Sequence, residues 1–204
     1  MLRSWLFRGS AMQHPSSASE TSQTQVGSEV PHIVVGGGCF WCTEAVFLDV
    51  RGVVSVESGY CGGKTNNPDY ESICSGTTGH AEVVRVGFNP QLIDLKTLYQ
   101  IFFATHDPTT LNRQGYDVGT QYRSAIFTVN DEQARLAKAL VSELNNAGTF
   151  GAPIVTEIVA LERFWVAEAY HQNYFARNPF QGYCVGVVAP KVAKFRKQFA
   201  SYLK

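Results

Sequence analysis

The feature that most constrains the fold is a strand–turn–helix unit near the start of the apolar part of the chain. Residues 33–49 read IVVGGGCFWCTEAVFLD, an apolar run followed by three glycines and then by a helical pattern. The glycines allow a sharp turn and a close approach to another molecule. Cys39 lies at the mouth of the predicted helix, where unpaired backbone N–H groups favour a thiolate. We therefore interpret Cys39 as a reactive thiol rather than a structural cysteine.

The rest of the chain alternates between strand and helix patterns. Strands are predicted at 32–35, 53–59, 81–88, 121–129 and 154–160, and helices at 40–50, from Asp94 through Phe102, from about Asn130 to Gly148, and at 167–176 and 190–202. The order strand–helix–strand–strand–helix–strand predicts an α/β (α+β) two-layer sandwich with a split βαβ (βαββαβ, ferredoxin-like) core. Two long polar segments, 60–79 and 106–120, interrupt it, and connections of this length are usually functional.

Composition narrows the class of protein. The 204 residues suit one domain, predicted at 31–204, after a Ser-, Thr- and Gln-rich extension at 1–30 that we expect to be disordered. Lys plus Arg and Asp plus Glu number 17 each, which argues against nucleic acid as a partner, and no apolar run approaches a membrane span. The odd number of cysteines, five, favours a reducing compartment, so we predict a cytoplasmic location. We also predict a monomer.

Cys39 and Cys42 form a C-x-x-C pattern that admits several interpretations. They could be a thioredoxin-like redox pair, half of a zinc site, or a lone nucleophile with a second thiol one turn behind it. Zinc is disfavoured because Cys61 and Cys74 are 13 residues apart, so we predict neither metal nor cofactor. A general thiol–disulfide oxidoreductase and a non-enzymatic binding module are the alternative functions.

The other candidate groups lie in the polar segments and near the C-terminus. Glu82 enters an apolar strand, where desolvation would raise its pKa and suit a general acid; a solvated carboxylate is the alternative. The segment with Asp117 and Tyr122 indicates only a structured polar loop. His171 is interpreted as a structural histidine. Cys184, in a Gly/Pro-punctuated loop, is either an exposed spare thiol or a redox partner for Cys39.

Five segments together resemble a known family. They are GGGCFWCTEAVF, GYCGGKTNNPDYESICSGTTGHAEVVRVGF, HDPTTLNRQGYDVGTQYRSAIF, AEAYHQNYF and NPFQGYC. In order and spacing they resemble the A-type methionine sulfoxide reductases, the peptide-methionine (S)-S-oxide reductase family. The resemblance runs from about Pro31 to the C-terminus. It implies an oxidoreductase that repairs the S epimer of methionine sulfoxide, free or in proteins.

The resemblance also implies residue roles. Cys39 would be the nucleophile, Glu82 the general acid, Tyr70 and Tyr122 donors to the sulfoxide oxygen, Asp117 an organiser of the polar side, and Phe40 and Trp41 the binding site of the methyl group. Cys39 would become a sulfenic acid and then part of an intramolecular disulfide. Thioredoxin would be the reductant of that disulfide.

The resolving thiol is the point at which this chain departs from the family pattern. Many relatives have glycine at the position of Cys42, and none of the residues after Cys184 is a cysteine. Cys184 is the first candidate for the resolving thiol, and Cys42 is the alternative. Residues three apart on a helix are neighbours, although helical geometry would have to loosen for a good disulfide.

Overall fold

A computed structural model describes residues 30–204, so nearly all of the predicted disordered extension lies outside the described residues. The strands are β1 (His32–Gly37), β2 (Val53–Cys61), β3 (Ala81–Phe88), β4 (Arg113–Gln114), β5 (Asp117–Val118), β6 (Ser124–Thr128), β7 (Glu157–Ala160) and β8 (Trp165–Val166). The helices are α1 (Phe40–Leu48), α2 (Tyr70–Cys74), α3 (Leu95–Thr105), α4 (Asp131–Asn146), α5 (Tyr174–Arg177) and α6 (Ala189–Gln198). The architecture is therefore mixed α/β, as predicted.

One six-stranded sheet, ordered β7-β6-β1-β3-β2-β8, organises the fold. β1 is antiparallel to both of its neighbours, and only the pairing of β6 with β7 is parallel. β1 is central and buried on both faces, which explains its nearly continuous apolar sequence. Glu82 of β3 stands in register with Tyr60 of β2, close to the end of β1 that leads into α1.

Side-chain caps set the starts of the two longest helices. Asp94 accepts a hydrogen bond from the backbone N–H of Thr97 at 2.7 Å, and Asn130 accepts one from that of Gln133 at 2.9 Å. Such caps satisfy backbone donors that have no partner inside the helix. The apolar faces of α1, α3 and α6 then pack into one core with the sheet. Asp94 and Asn130 thus begin their helices where the sequence predicts.

Two predicted helices and the two polar segments differ from the structure. The predicted helix 167–176 is a 3-10 turn at 169–171 followed by α5, because Asn173 adopts a left-handed conformation with φ of 52° between them. The predicted helix 190–202 ends at Gln198, and a 3-10 turn follows at 200–202. The two polar segments carry α2 and the β4–β5 hairpin, respectively.

No helix within residues 30–204 is long and apolar enough to cross a membrane.

Candidate active site

Cys39 is the N-cap residue of α1, one residue beyond the glycine turn. Its backbone is not helical, with φ of −54° and ψ of 125°. Gly38 has φ of +90°, and a Cβ atom there would lie 2.6 Å from Cγ of Gln114. Gly38 is therefore needed for the backbone turn and for the close packing of Gln114. The close approach seen at Gly38 is to Gln114 of this chain, and an approach of the other glycines to another molecule stays a prediction.

The protein holds Cys39 as a neutral thiol. Burial raises the pKa of Cys39 well above its usual range, and the neighbouring Cys42 and Glu82 raise it further. The backbone N–H of Trp41 acts in the opposite direction but does not offset these effects. The first N–H of α1, that of Phe40, is donated to Glu82. The helix start therefore acts on Cys39 in the predicted direction through the N–H of Trp41, but burial and the neighbouring Cys42 and Glu82 outweigh it.

Glu82 is a buried carboxyl group at the start of α1. Its side chain is 2 % exposed, and Oε2 accepts a hydrogen bond from the backbone N–H of Phe40 at 3.0 Å. Burial raises the pKa of Glu82 to about 8, and the negative charge of Asp117 adds to the effect. The predicted desolvation of Glu82 is confirmed, and the alternative of a solvated carboxylate is wrong. Near neutral pH this group carries a proton that it can donate.

Two phenols, those of Tyr70 and Tyr122, lie close enough to Glu82 to be affected by its charge. Burial raises the pKa of Tyr70 and of Tyr122, and the Glu82 carboxyl contributes to both shifts. Both phenols therefore remain neutral donors. Glu168 anchors this part of the site, because its carboxylate accepts from the backbone N–H of Tyr70 at 2.7 Å and from the hydroxyl of Tyr60 at 2.9 Å.

Asp117 connects the β4–β5 hairpin to the C-terminal part of the chain. The hydroxyl of Tyr183 donates to Oδ2 of Asp117 at 2.6 Å. Burial raises the pKa of Tyr183, and the neighbouring Cys39 and Asp117 raise it further. Tyr183 is thus a site residue that the sequence analysis missed, although it directly precedes Cys184 in the NPFQGYC segment.

Aromatic rings pack together around the residues that follow Cys39, and the ring of Tyr70 lies 4.5 Å from that of His171 within this group. The rings of Trp41 and Tyr174 are stacked, with centroids 3.8 Å apart and an angle of 7° between their planes. Nε1 of Trp41 donates a hydrogen bond to Nδ1 of His171 at 3.0 Å, and the ring of Phe40 lies 5.0 Å from that of His171. Burial lowers the pKa of His171, so its ring is neutral and accepts this hydrogen bond. We define Phe40, Trp41, His171 and Tyr174 as the aromatic wall.

A buried carboxyl group holds this wall in place. Glu44 of α1 accepts hydrogen bonds from the backbone N–H groups of Asn173 at 2.8 Å and Tyr174 at 3.2 Å. These contacts fix the start of α5 against α1. His171 accepts the hydrogen bond of Trp41 and so orients that ring, and its structural role stays a prediction.

The two candidate resolving thiols lie at different distances along the chain from Cys39. Cys42 is part of α1, and the π-helical turn that begins at Cys184 packs against α1. Cys42 lies in the first turn of α1, is 3 % exposed, and accepts a hydrogen bond from the thiol of Cys39. Cys184 begins a π-helical turn, Cys184–Val188, and is fully buried. The alternative of an exposed spare thiol is therefore wrong for Cys184.

The remaining two cysteines differ in burial, and Cys74 accepts a hydrogen bond from the hydroxyl of Tyr70. Cys61 is buried in β2, where burial raises its pKa to about 12, and Cys74 is exposed at the end of α2. No group of three His, Cys, Asp or Glu side chains within residues 30–204 is arranged to hold a metal ion.

Comparisons with known proteins agree with this geometry. A family model described as peptide methionine sulfoxide reductase matches residues 31–203. The peptide methionine sulfoxide reductase MsrA of Trichodesmium erythraeum is 60% identical over 167 residues, covering 82% of this chain and 94% of the relative. The crystal structure of Mxr1 from Saccharomyces cerevisiae in its reduced form has a TM-score of 0.70 and 37% identity, covering 75% of this chain and 87% of that one. Mxr1 in complex with Trx2 has a TM-score of 0.52 and 26% identity, covering 77% and 92%, respectively.

Proposed function

This chain belongs to the peptide methionine sulfoxide reductase family, and we propose that it reduces the S epimer of methionine sulfoxide with Cys39 as the nucleophile. The substrate is methionine sulfoxide, free or within oxidised proteins. We propose that the sulfoxide oxygen faces Glu82, Tyr70 and Tyr122. Asp117 would organise these polar groups. The methyl group is assigned to Phe40 and Trp41.

The observation that carries the mechanism is the protonated Glu82 carboxyl beside a buried Cys39 thiol. Burial raises the pKa of Glu82 to about 8, so the carboxyl is an acid at neutral pH. A general acid is most effective when its pKa lies near the working pH. A protonated carboxyl and two phenols provide three donors, which suit a sulfoxide oxygen that gains a proton as its bond to sulfur breaks.

The proposed first step transfers one oxygen atom. The sulfur of Cys39 attacks the sulfoxide sulfur while Glu82 gives its proton to the sulfoxide oxygen, and the thiol proton of Cys39 restores the acid. The oxygen ends on Cys39 as a sulfenic acid, and methionine leaves. The sulfur of Cys39 is oxidised and that of the substrate is reduced, so no cofactor is required.

The sulfenic acid must then be reduced. We propose that Cys184 or Cys42 condenses with it to form an intramolecular disulfide, and that thioredoxin reduces this disulfide. Two features support this sequence: three free cysteines lie on or against α1, and the related Mxr1 forms a complex with Trx2. A thioredoxin-linked enzyme with free cysteines suits a reducing compartment, and we propose a cytoplasmic monomer for this reason.

The fold supports a finer proposal about topology. The central strand order β6-β1-β3-β2, with α1 after β1 and α3 after β3, is consistent with the split βαβ (ferredoxin-like) core expected from the sequence. Residues 31–204 would then form one catalytic domain.

The epimers of free methionine sulfoxide test the proposed function. Purified protein with dithiothreitol should convert the S epimer to methionine and leave the R epimer, as followed by chiral chromatography. Cys39→Ser should form no methionine from either epimer, because serine is a poor nucleophile towards sulfur. Equal consumption of both epimers would contradict the epimer assignment, and an active Cys39→Ser variant would contradict the mechanism.

A further inference from the structure

Cys42 differs from the other four cysteines of the chain in its acidity. Burial raises the pKa of each of the other four, Cys39, Cys61, Cys74 and Cys184. The pKa of Cys42 is instead lowered, chiefly by the hydrogen bond that it accepts from Cys39. Burial opposes this effect, and the positive charge of Lys191 and a hydrogen bond from Tyr183 add to the lowering. Among these thiols, Cys42 is therefore the most readily ionised.

The position of Lys191 explains how its charge reaches a buried thiol. Lys191, in the first turn of α6, is half-buried and lines a small cavity of about 10 Å³ together with Cys42. Lys191 also lines an open cleft of about 460 Å³ on the other side, which contains Lys194 and Gln198. Lys191 thus borders both the open cleft and the small cavity that Cys42 lines.

The groups that act on Cys42 come from several elements. They are Cys39 on α1, Glu82 on β3, Asp117 on β5, Tyr183, Cys184 in the π-helical turn and Lys191 on α6. Lys191 is the one cation in this set, and Asp117 opposes it. Removal of Lys191 would therefore leave Cys42 facing only acidic and neutral groups.

The backbone at Cys39 removes the geometric objection to a Cys39–Cys42 disulfide. A disulfide between residues three apart is poor when both residues are helical. Cys39 is the non-helical N-cap residue of α1, and only Cys42 lies inside the helix. The Cys39 thiol already donates its hydrogen bond to Cys42.

We propose that Lys191 is a positioning residue that holds Cys42 as a thiolate, and that Cys42 is the first thiol to attack the sulfenic acid of Cys39. This inference rests on the proposed function. A bond forms between the two sulfur atoms, the S–O bond of Cys39 breaks, and the hydroxide takes a proton from solvent and leaves as water. Cys42 is oxidised and the sulfenic sulfur is reduced. Cys184, which interacts with Cys42, then exchanges with Cys42 and releases Cys39.

Single-turnover experiments with the S epimer in the absence of any external thiol test this order. The methionine formed by the wild-type protein reports on the proposed function, and its absence would contradict that function. The fate of the sulfenic acid reports on the inference, through dimedone trapping and mass-spectrometric mapping of disulfides. Cys184→Ser should lose the sulfenic acid at the wild-type rate and accumulate a Cys39–Cys42 disulfide. Cys42→Ser should accumulate the dimedone-reactive acid, and direct formation of a Cys39–Cys184 disulfide at the wild-type rate would overturn the inference.

The role of Lys191 is tested by the pH dependence of the same condensation. Lys191→Met should slow disulfide formation about tenfold at pH 7, as expected if the thiolate fraction falls with a pKa shift of about one unit. The rate should recover at higher pH, where Cys42 ionises without help, and Lys191→Arg should restore it at pH 7. Lys194→Met, which changes a lysine of the same cleft away from the Cys42 cavity, should have no effect. A wild-type pH profile in Lys191→Met would overturn the role of Lys191.

Discussion

The two sides of Cys39 are built by different physical means. The donor side, which we define as Glu82, Tyr70 and Tyr122, comes from three separate elements, and burial keeps its members protonated. The aromatic wall begins in the two residues that directly follow Cys39 and is held by packing and by the hydrogen bond from Trp41 to His171. Changes of the donor side should therefore affect proton transfer, and changes of the aromatic wall should affect binding.

The two sides should also respond differently to pH. Burial raises the pKa of Glu82 to about 8 but lowers that of His171. Between neutral pH and pH 10, Glu82 loses its proton while His171 stays neutral. A sulfoxide has a polar oxygen and an apolar methyl group on one sulfur, so this asymmetry suits the selection of one epimer.

Glu82→Gln should have the largest effect among changes of the two sides. The amide cannot donate the proton, so methionine formation in a single turnover should slow about 10²- to 10⁴-fold. The Gln side chain can still accept the hydrogen bond from Phe40, and the circular dichroism spectrum should be unchanged. Glu71→Gln, at an exposed position on α2, is the matched control and should react normally. A normal single-turnover rate in Glu82→Gln would exclude Glu82 as the acid.

The pH profile of the first step should follow the same carboxyl group. The active form is protonated and has a pKa of about 8, so the rate should be constant below that pH and fall above it. The expected loss is about tenfold per pH unit, or about 100-fold at pH 10. Rapid-quench measurements at saturating substrate would record this limb, which should be absent in Glu82→Gln. A wild-type rate that increases from pH 8 to pH 10 is incompatible with this assignment.

Trp41→Leu should affect binding and epimer selection more than the chemical step. It removes the stacked ring and the hydrogen bond to His171, so kcat/KM for the S epimer should fall about 10- to 100-fold, mainly through KM. Discrimination against the R epimer should fall as well. Trp41→Phe retains an aromatic surface and should show a smaller change in both quantities. An unchanged epimer ratio in Trp41→Leu would separate the aromatic wall from selectivity.

Local patterns were sufficient to predict the main elements of the fold. The strand at 81–88 and the cap Asp94 are found where they were predicted, and the helix predicted from about Asn130 begins there, since alternation and capping depend on residues close in sequence. The predicted helix at 167–176 is wrong because Asn173 is left-handed. The backbone N–H of Asn173 donates to Glu44 of α1, and this tertiary contact has no local sequence signal. Two-residue strands such as β8 carry too few residues for a pattern.

Residues of the candidate site could be predicted where a reactive side chain lies at the end of a predicted strand or helix. Cys39 and Glu82 could be proposed from the sequence because each lies at the boundary of a predicted element. The pair of Asp117 and Tyr183 could not be found, because 66 residues separate two polar groups that meet only in the fold. The acidity of Cys39 and Cys42 also depends on tertiary contacts, since burial and Glu82 outweigh the helix start at Cys39 while Lys191 acts on Cys42.

Tyr122→Phe should have the smallest effect of these changes. It tests how hydrogen bonding and proton donation to the sulfoxide oxygen are divided among the members of the donor side. One hydroxyl is lost while Glu82 and Tyr70 remain, and a single hydrogen bond contributes about 1 kcal/mol, so the first step should slow about five- to tenfold. The aromatic ring is retained, so KM and the epimer ratio should stay near their wild-type values. Tyr116→Phe, in the same loop but 97 % exposed, is the matched control and should react normally. A loss as large as that of Glu82→Gln would mean that the proton reaches the oxygen through Tyr122, and the donor side would then be a relay rather than a set of parallel donors.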